Sequence, residues 1–203
     1  MQTQTSPLFQ GWRLVGWLSL ALCVIGFSIL VWFQFELEGI RVLIRTTART
    51  SLLLFCSAFS ASALCRLWPT PFTRWLRTNR RYLGISFAVS HALHAAGIAS
   101  FAIMDHELFS QTVKPLTLIF GGVGYLFIIA MTLTSFDRTA AWLGQHKWHL
   151  LHRTGSYYIW FIFLFSEIKR AIMLMPVYWI FVVLLILVFA LRLRLFRPLY
   201  SVE

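Results

Sequence analysis

The sequence predicts an all-α fold, an integral membrane helical bundle of about six transmembrane helices in one domain over residues 1–203. Three observations carry this. Hydrophobic residues make up 59% of the chain. Charged residues make up only 12%, where a soluble domain carries about 25%. The apolar residues also fall in long blocks, and five or six of these approach the roughly 20 residues that cross a bilayer as a helix.

The spans are expected at about 12–33, 51–68, 82–104, 116–135, 148–166 and 172–193. The first follows a short polar N-terminus. It is too long for a signal-peptide core and has no small-x-small cleavage site, so it reads as a retained span. Between the first two spans, Arg41, Arg45 and Arg49 recur every four residues beside Ile40, Leu43 and Ile44. That pattern predicts a short helix lying in the outer interface, basic side up. The second span is rich in small residues (Ser57, Ala58, Ser60, Ala61, Ser62, Ala63), which let helices approach closely. Gly121, Gly122 and Gly124 give the fourth span the same property. Cys23, Cys56 and Cys65 all lie in apolar blocks with no CxxC pair, so packing is their expected role. No internal repeat, low-complexity stretch or linker is visible.

A net charge of +11 would suggest nucleic acid in a soluble protein. Here the basic residues sit between apolar blocks and read as topology and lipid-headgroup signals, with no nucleic-acid partner. With the N-terminus inside, the inner set is Arg13, Arg66, Arg74, Arg77, Arg80, Arg81, Arg138, Lys147, Arg153, Arg192, Arg194 and Arg197. The outer set is Arg41, Arg45, Arg49, Lys114, Lys169 and Arg170. Twelve against six places both termini in the cytoplasm.

The histidines carry the functional signal. His91 and His94 lie well inside the third span, in "RRYLGISFAVSHALHA". His146, His149 and His152 open the fifth, in "GQHKWHLLHRTGSYY", and His106 follows the third span beside two acids. Ionisable groups inside a bilayer mark functional paths, because leaving them unpaired is costly. A proton path would want acids at depth in these spans, and a direct di-metal site would want more histidines with carboxylates; neither is present. Haem needs one neutral imidazole from each of two helices and basic residues for its propionates. Arg80, Arg81 and Lys147 are placed to supply the latter. Each histidine set contains a pair three residues apart, about 4.5 Å of helix rise, so the pairs offer alternative registers for one haem. Geometry leaves His91 with His149 and His94 with His152 equally open.

These segments, with "ARTSLLL", the "LTS" closing span four and "LGQHKWHLLHRTGSYY", resemble the ferric-reductase-like transmembrane family over roughly residues 45 to 170. The likeness is greatest to the haem-binding membrane subunits of bacterial periplasmic methionine sulfoxide reductase systems. The resemblance implies b-type haem iron held between spans three and five. It selects His94, fourteen residues after Arg80, and His152, four after Trp148, as ligands, with Arg81 and Trp148 beside the cofactor. It also implies a subunit in the bacterial inner membrane, taking electrons from a cytoplasmic flavin or quinol donor. They would leave to a partner oxidoreductase at the outer face. The chain departs from the pattern at Phe165, where that family places a further histidine, and at Glu107 and Leu108 in the matching part of span three. One ligated haem is therefore expected. With no GxGxxG motif and about ten residues after the last span, the chain is expected to be an electron-transfer subunit rather than a complete enzyme. The competing reading is a non-redox assembly or transport protein that keeps the fold with structural histidines.

Overall fold

The computed structural model describes residues 9–194, with the side chain of Arg194 excepted, and is all-helical with no strand among them. Arg197 of the inner basic set and both chain ends lie outside the described residues. The helices are α1 (Trp12–Trp32), α2 (Leu37–Leu67), α3 (Pro71–Thr78), α4 (Arg80–Met104), α5 (His106–Thr112), α6 (Pro115–Leu133), α7 (Asp137–Leu143), α8 (Gln145–Met173) and α9 (Trp179–Arg194). A 3₁₀ turn over Pro176–Tyr178 joins the last two.

Five helices, namely α1, α2, α4, α6 and the segment Pro176–Leu193, are long and apolar enough to cross a membrane. The fifth expected span is α8, whose 29 residues are long enough to cross but whose first turns carry the histidines, Lys147 and Arg153. Large apolar side chains stay exposed around the bundle (Phe27 64%, Leu126 67%, Ile180 66%), as a lipid-solvated surface requires.

One expectation is corrected. The Arg41–Arg49 stretch is not a separate interfacial helix: α2 runs unbroken for 31 residues, starting fourteen residues before the expected span. No proline interrupts it, and Glu38 in its first turn binds Arg45 at 2.6 Å and Arg41 at 3.7 Å. The basic stripe is thereby neutralised in part on the helix itself. A short interfacial helix does occur at α3, where Thr70 and Thr73 form a capping box ahead of a helix that buries Thr73 and Leu76.

The chain runs up and down. Helices α1, α4 and α8 begin, and α2, α6 and α9 finish, at one end. Trp12 there packs on Tyr82 and Phe136, Trp148 Nε1 donates to the Thr134 carbonyl, and Arg192 donates to the Phe59 carbonyl. Arg77, Arg80, Arg81, Lys147 and Arg153 gather at this basic end. Met104, on α4, marks the other.

Two packing devices fix the interior. The first joins α2 to α4. Ser51 Oγ donates to Ser90 Oγ at 2.9 Å, Thr50 Oγ1 lies 2.9 Å from the same oxygen, and Ser90 donates to the Thr47 carbonyl at 3.3 Å. Gly97 permits the close approach above this ladder: a Cβ there would lie 2.9 Å from Ile44 Cγ1. The second device is a layer of rings across the bundle centre. Phe163 of α8 lies 5.5 Å from Phe55 of α2 and 6.2 Å from Phe87 of α4, ring centre to ring centre. Replacing Gly97 by leucine is expected to lower stability by about 1–3 kcal/mol through overpacking. Thermal unfolding in detergent checks this; an unchanged midpoint would mean that α2 and α4 are not held this close.

Candidate functional site

A cavity of about 390 Å³ opens at the basic end between α2, α3, α4, α6, α7 and α8. That lies within the size range of small-molecule and cofactor sites. Its floor is apolar, made by Phe55, Phe59, Phe87 and Ile128; His152, Trp148 and Thr134 form one wall; Arg77, Arg80 and Arg81 stand at its mouth.

Each functional group has a local cause. His152 sits two turns into α8, one turn beyond Trp148, so the imidazole stacks on the indole with centroids 4.2 Å apart. Its Nε2 lies 3.0 Å from Thr134 Oγ1. The Thr134 hydroxyl proton goes to the Ala130 carbonyl at 2.7 Å, so the imidazole N–H is the donor of that pair. Arg81 binds Asp137 at 2.7 Å, and its Nε is buried with no partner. Arg80 donates to Ser62 Oγ at 3.3 Å.

His94 is held differently. Its Nδ1 is 3.0 Å from the Ile44 carbonyl and 3.3 Å from Thr47 Oγ1. A carbonyl can only accept, so Nδ1 carries the proton and Nε2 keeps the lone pair. A backbone carbonyl that fixes the tautomer in this way is the usual support of a metal-ligating imidazole. His91, one turn earlier, stacks on His94 at 5.2 Å and on Tyr125 at 4.9 Å. Its Nδ1 is buried without a partner, and Tyr125 donates to its carbonyl at 3.2 Å.

The structure does not bring His94 and His152 together. His91 meets Phe163 at 5.9 Å, which sets those two residues at one depth on the parallel helices α4 and α8. His152 lies eleven residues before Phe163 and His94 three beyond His91, so the two imidazoles are about 20 Å apart along the bundle. Their surroundings agree: His152 feels the charge of Arg80 at the start of α4, and His94 that of Arg170 near the end of α8. Imidazoles that share one iron bind its opposite faces and must share a depth. The two imidazoles expected to share one haem therefore stand at separate depths in this structure. The alternative pair fails likewise, since His149 lies lower still on α8 and is exposed against the edge of Trp148. His106 and His146 are exposed, and no group of three metal-binding side chains occurs among the described residues. Phe165 points off the bundle, 63% exposed and stacked on Phe161.

The cavity fits a haem in chemistry: an apolar floor, an imidazole in the wall, and guanidinium donors at the mouth, one of them a buried N–H lacking an acceptor. Sequence reasoning missed Thr134, Tyr125 and Asp137, whose roles come from helix–helix register. The only legible hint was the position of "LTS" at the end of span four.

The fold and cavity define an all-α membrane helical bundle that turns an imidazole and three arginines onto an apolar-floored cavity. The chain is 30% identical to the protein-methionine-sulfoxide reductase heme-binding subunit MsrQ of Cronobacter sakazakii, over 68% of this chain and 72% of that relative. It belongs to the MsrQ family. No family-wide sequence model and no solved structure matches it. Spin labels attached in a His94→Cys, His152→Cys variant are expected to report a separation near 20 Å or more. A distance under about 15 Å, the reach of two labels flanking one cofactor at one depth, would restore the shared position.

Proposed function

We propose that this chain is a b-type haem-binding membrane subunit of the ferric-reductase-like kind, relaying electrons across the bacterial inner membrane to a partner reductase. The observation that carries the reading is the cavity at the basic end, with His152 in its wall and Arg77, Arg80 and Arg81 at its mouth. Bound haem supplies one-electron chemistry through its iron.

The residues of the chain do the rest. His152 would hold the iron in the cavity, its ring oriented by Trp148 and, in this structure, within hydrogen-bond reach of Thr134. Arg80 and Arg81 would bind the propionates, and the unpaired Nε of Arg81 is a donor that such an acceptor would satisfy. The floor of phenylalanines excludes water. His94, with its tautomer fixed by Ile44, would be a ligand at a second depth, and Phe165 faces away from the bundle. The basic end is cytoplasmic, following the distribution of arginine and lysine. Electrons then enter from a cytoplasmic flavin or a quinol and leave at the Met104 end.

Purified protein is expected to show a b-type haem spectrum that sharpens on dithionite reduction. His152→Ala and His94→Ala should each remove part of the absorbance, and the double variant all of it. The competing reading, a non-redox membrane protein, draws on the bond from His152 to Thr134, which satisfies that imidazole without a cofactor. A colourless protein from haem-replete cells would establish it.

A further inference from the structure

A second hollow lies on the lipid-facing side of α8. It is a shallow groove of about 530 Å³ lined by Leu150, Arg153, Thr154, Tyr157, Tyr158 and Phe161. Leu150, Thr154, Tyr158 and Phe161 recur every three or four residues, so they form one stripe along the helix. Leu150 and Phe161 are more than half exposed, as residues that meet lipid are. The Tyr158 hydroxyl donates to the Phe120 carbonyl at 2.9 Å, which sets its ring against α6. On the other flank the Tyr157 ring meets Phe189 of α9 at 6.1 Å, near edge-on.

The groove has the length of one leaflet. Its stripe runs eleven residues, about 16 Å of helix rise, and half of a hydrocarbon core is roughly 15 Å. The 29 residues of α8 rise about 43 Å. Centred on that core, the helix meets the headgroup boundary about 7 Å from Gln145, level with Leu150. The groove thus starts at the headgroups of the basic end and stops near mid-membrane.

Two guanidiniums stand in its headgroup half. Arg153 lies on α8 one turn before Tyr157, and Arg192 lies in the last turn of α9. Arg192 is 5.1 Å from the centre of the Tyr157 ring and 4.2 Å from that of Phe59, and it donates to the Phe59 carbonyl at 3.4 Å. The two cations therefore flank one tyrosine. Arginine stems lie along apolar surface while their heads reach the headgroups. A guanidinium has five N–H donors, so one carbonyl does not exhaust Arg192. Among the described residues, Asp137 is the one carboxylate at this end, and it binds Arg81.

We propose that the groove binds one acidic glycerophospholipid of the leaflet at the basic end, its phosphate between Arg153 and Arg192 and an acyl chain along the stripe. The site stands independently of any cofactor. Guanidiniums recognise phosphate oxygens through paired N–H donors, and two of them favour a headgroup with net negative charge. An ethanolamine or choline headgroup would bring a third cation to the same tyrosine. A diffuse basic surface attracts acidic lipid too, but without preference among its arginines.

The test uses the full-length chain reconstituted in vesicles of phosphatidylcholine with a minor fraction of phosphatidylglycerol. Lipid that stays bound after re-extraction is counted by native mass spectrometry. Wild type is expected to keep phosphatidylglycerol in preference to phosphatidylcholine. Arg153→Gln and Arg192→Gln should each lower that retention about tenfold, the loss of one charged contact. Leu150→Trp, which fills the groove and changes no charge, should lower it as well. Arg74→Gln, on exposed α3 at the same end, should not. Should Arg192→Gln not accumulate, Arg153→Gln and Leu150→Trp decide. Equal retention of the two lipids by wild type overturns the proposal. So does retention that survives both Arg153→Gln and Leu150→Trp, or that Arg74→Gln lowers as much as Arg153→Gln.

Discussion

The ring contact between His91 and Phe163 sets the relative depth of α4 and α8, and the arrangement of both histidine positions depends on it. The contact is one edge of a layer in which Phe55, Phe87 and Phe163 meet across the bundle centre. Buried aromatics dominate core energetics and prefer tilted or edge-on geometry, so such a layer resists sliding. A shift of α8 that brought His152 level with His94 would strip Phe163 from its three partners. It would also carry Trp148 and His152 away from Thr134, to which both are bonded. The cavity at the basic end exists because the layer stops short of it.

Around that layer the bundle uses two kinds of adhesion. Helices α2 and α4 are joined by hydroxyls and close backbone approach, as suits helices in lipid, where apolar contact alone gives little preference for protein over solvent. Ser51, Ser86 and Ser90 are fully buried in that seam. Helices α6, α8 and α9 are joined instead by ring packing and by single long-range bonds, such as Trp160 Nε1 to the Leu185 carbonyl at 2.9 Å. The tight seam positions His94 rigidly, through Ile44. The looser side holds His152, next to the space.

Much of this was legible in the sequence. Apolar block lengths gave the fold class and located α1, α4 and α6 within a few residues at both ends, because lipid thickness fixes helix length. Where the reading slipped, charges misled it: Arg41 and Arg45 look interfacial until Glu38 is seen to bind them along a continuous helix. The site was half legible. His152 and Trp148 line one cavity with Arg81, which is distant from them in the chain. The pairing of His94 with His152 came from resemblance, yet simple counting spoke against it. His94 is thirteen residues past Arg81, and His152 only five past Lys147. Ring packing between helices, which decided the matter, leaves no periodic trace. The i,i+3 pair of Glu167 and Arg170 could be read from spacing.

The aromatic layer also separates two polar regions. On one side lies a cavity open at its arginine-lined mouth; on the other, a charged cluster around Glu167. Between them, the hydroxyls of the α2–α4 seam bond to one another and to backbone carbonyls. The phenylalanine layer is an apolar partition set at mid-depth in the bundle, with the His91 imidazole, whose Nδ1 is buried without a partner, at its edge.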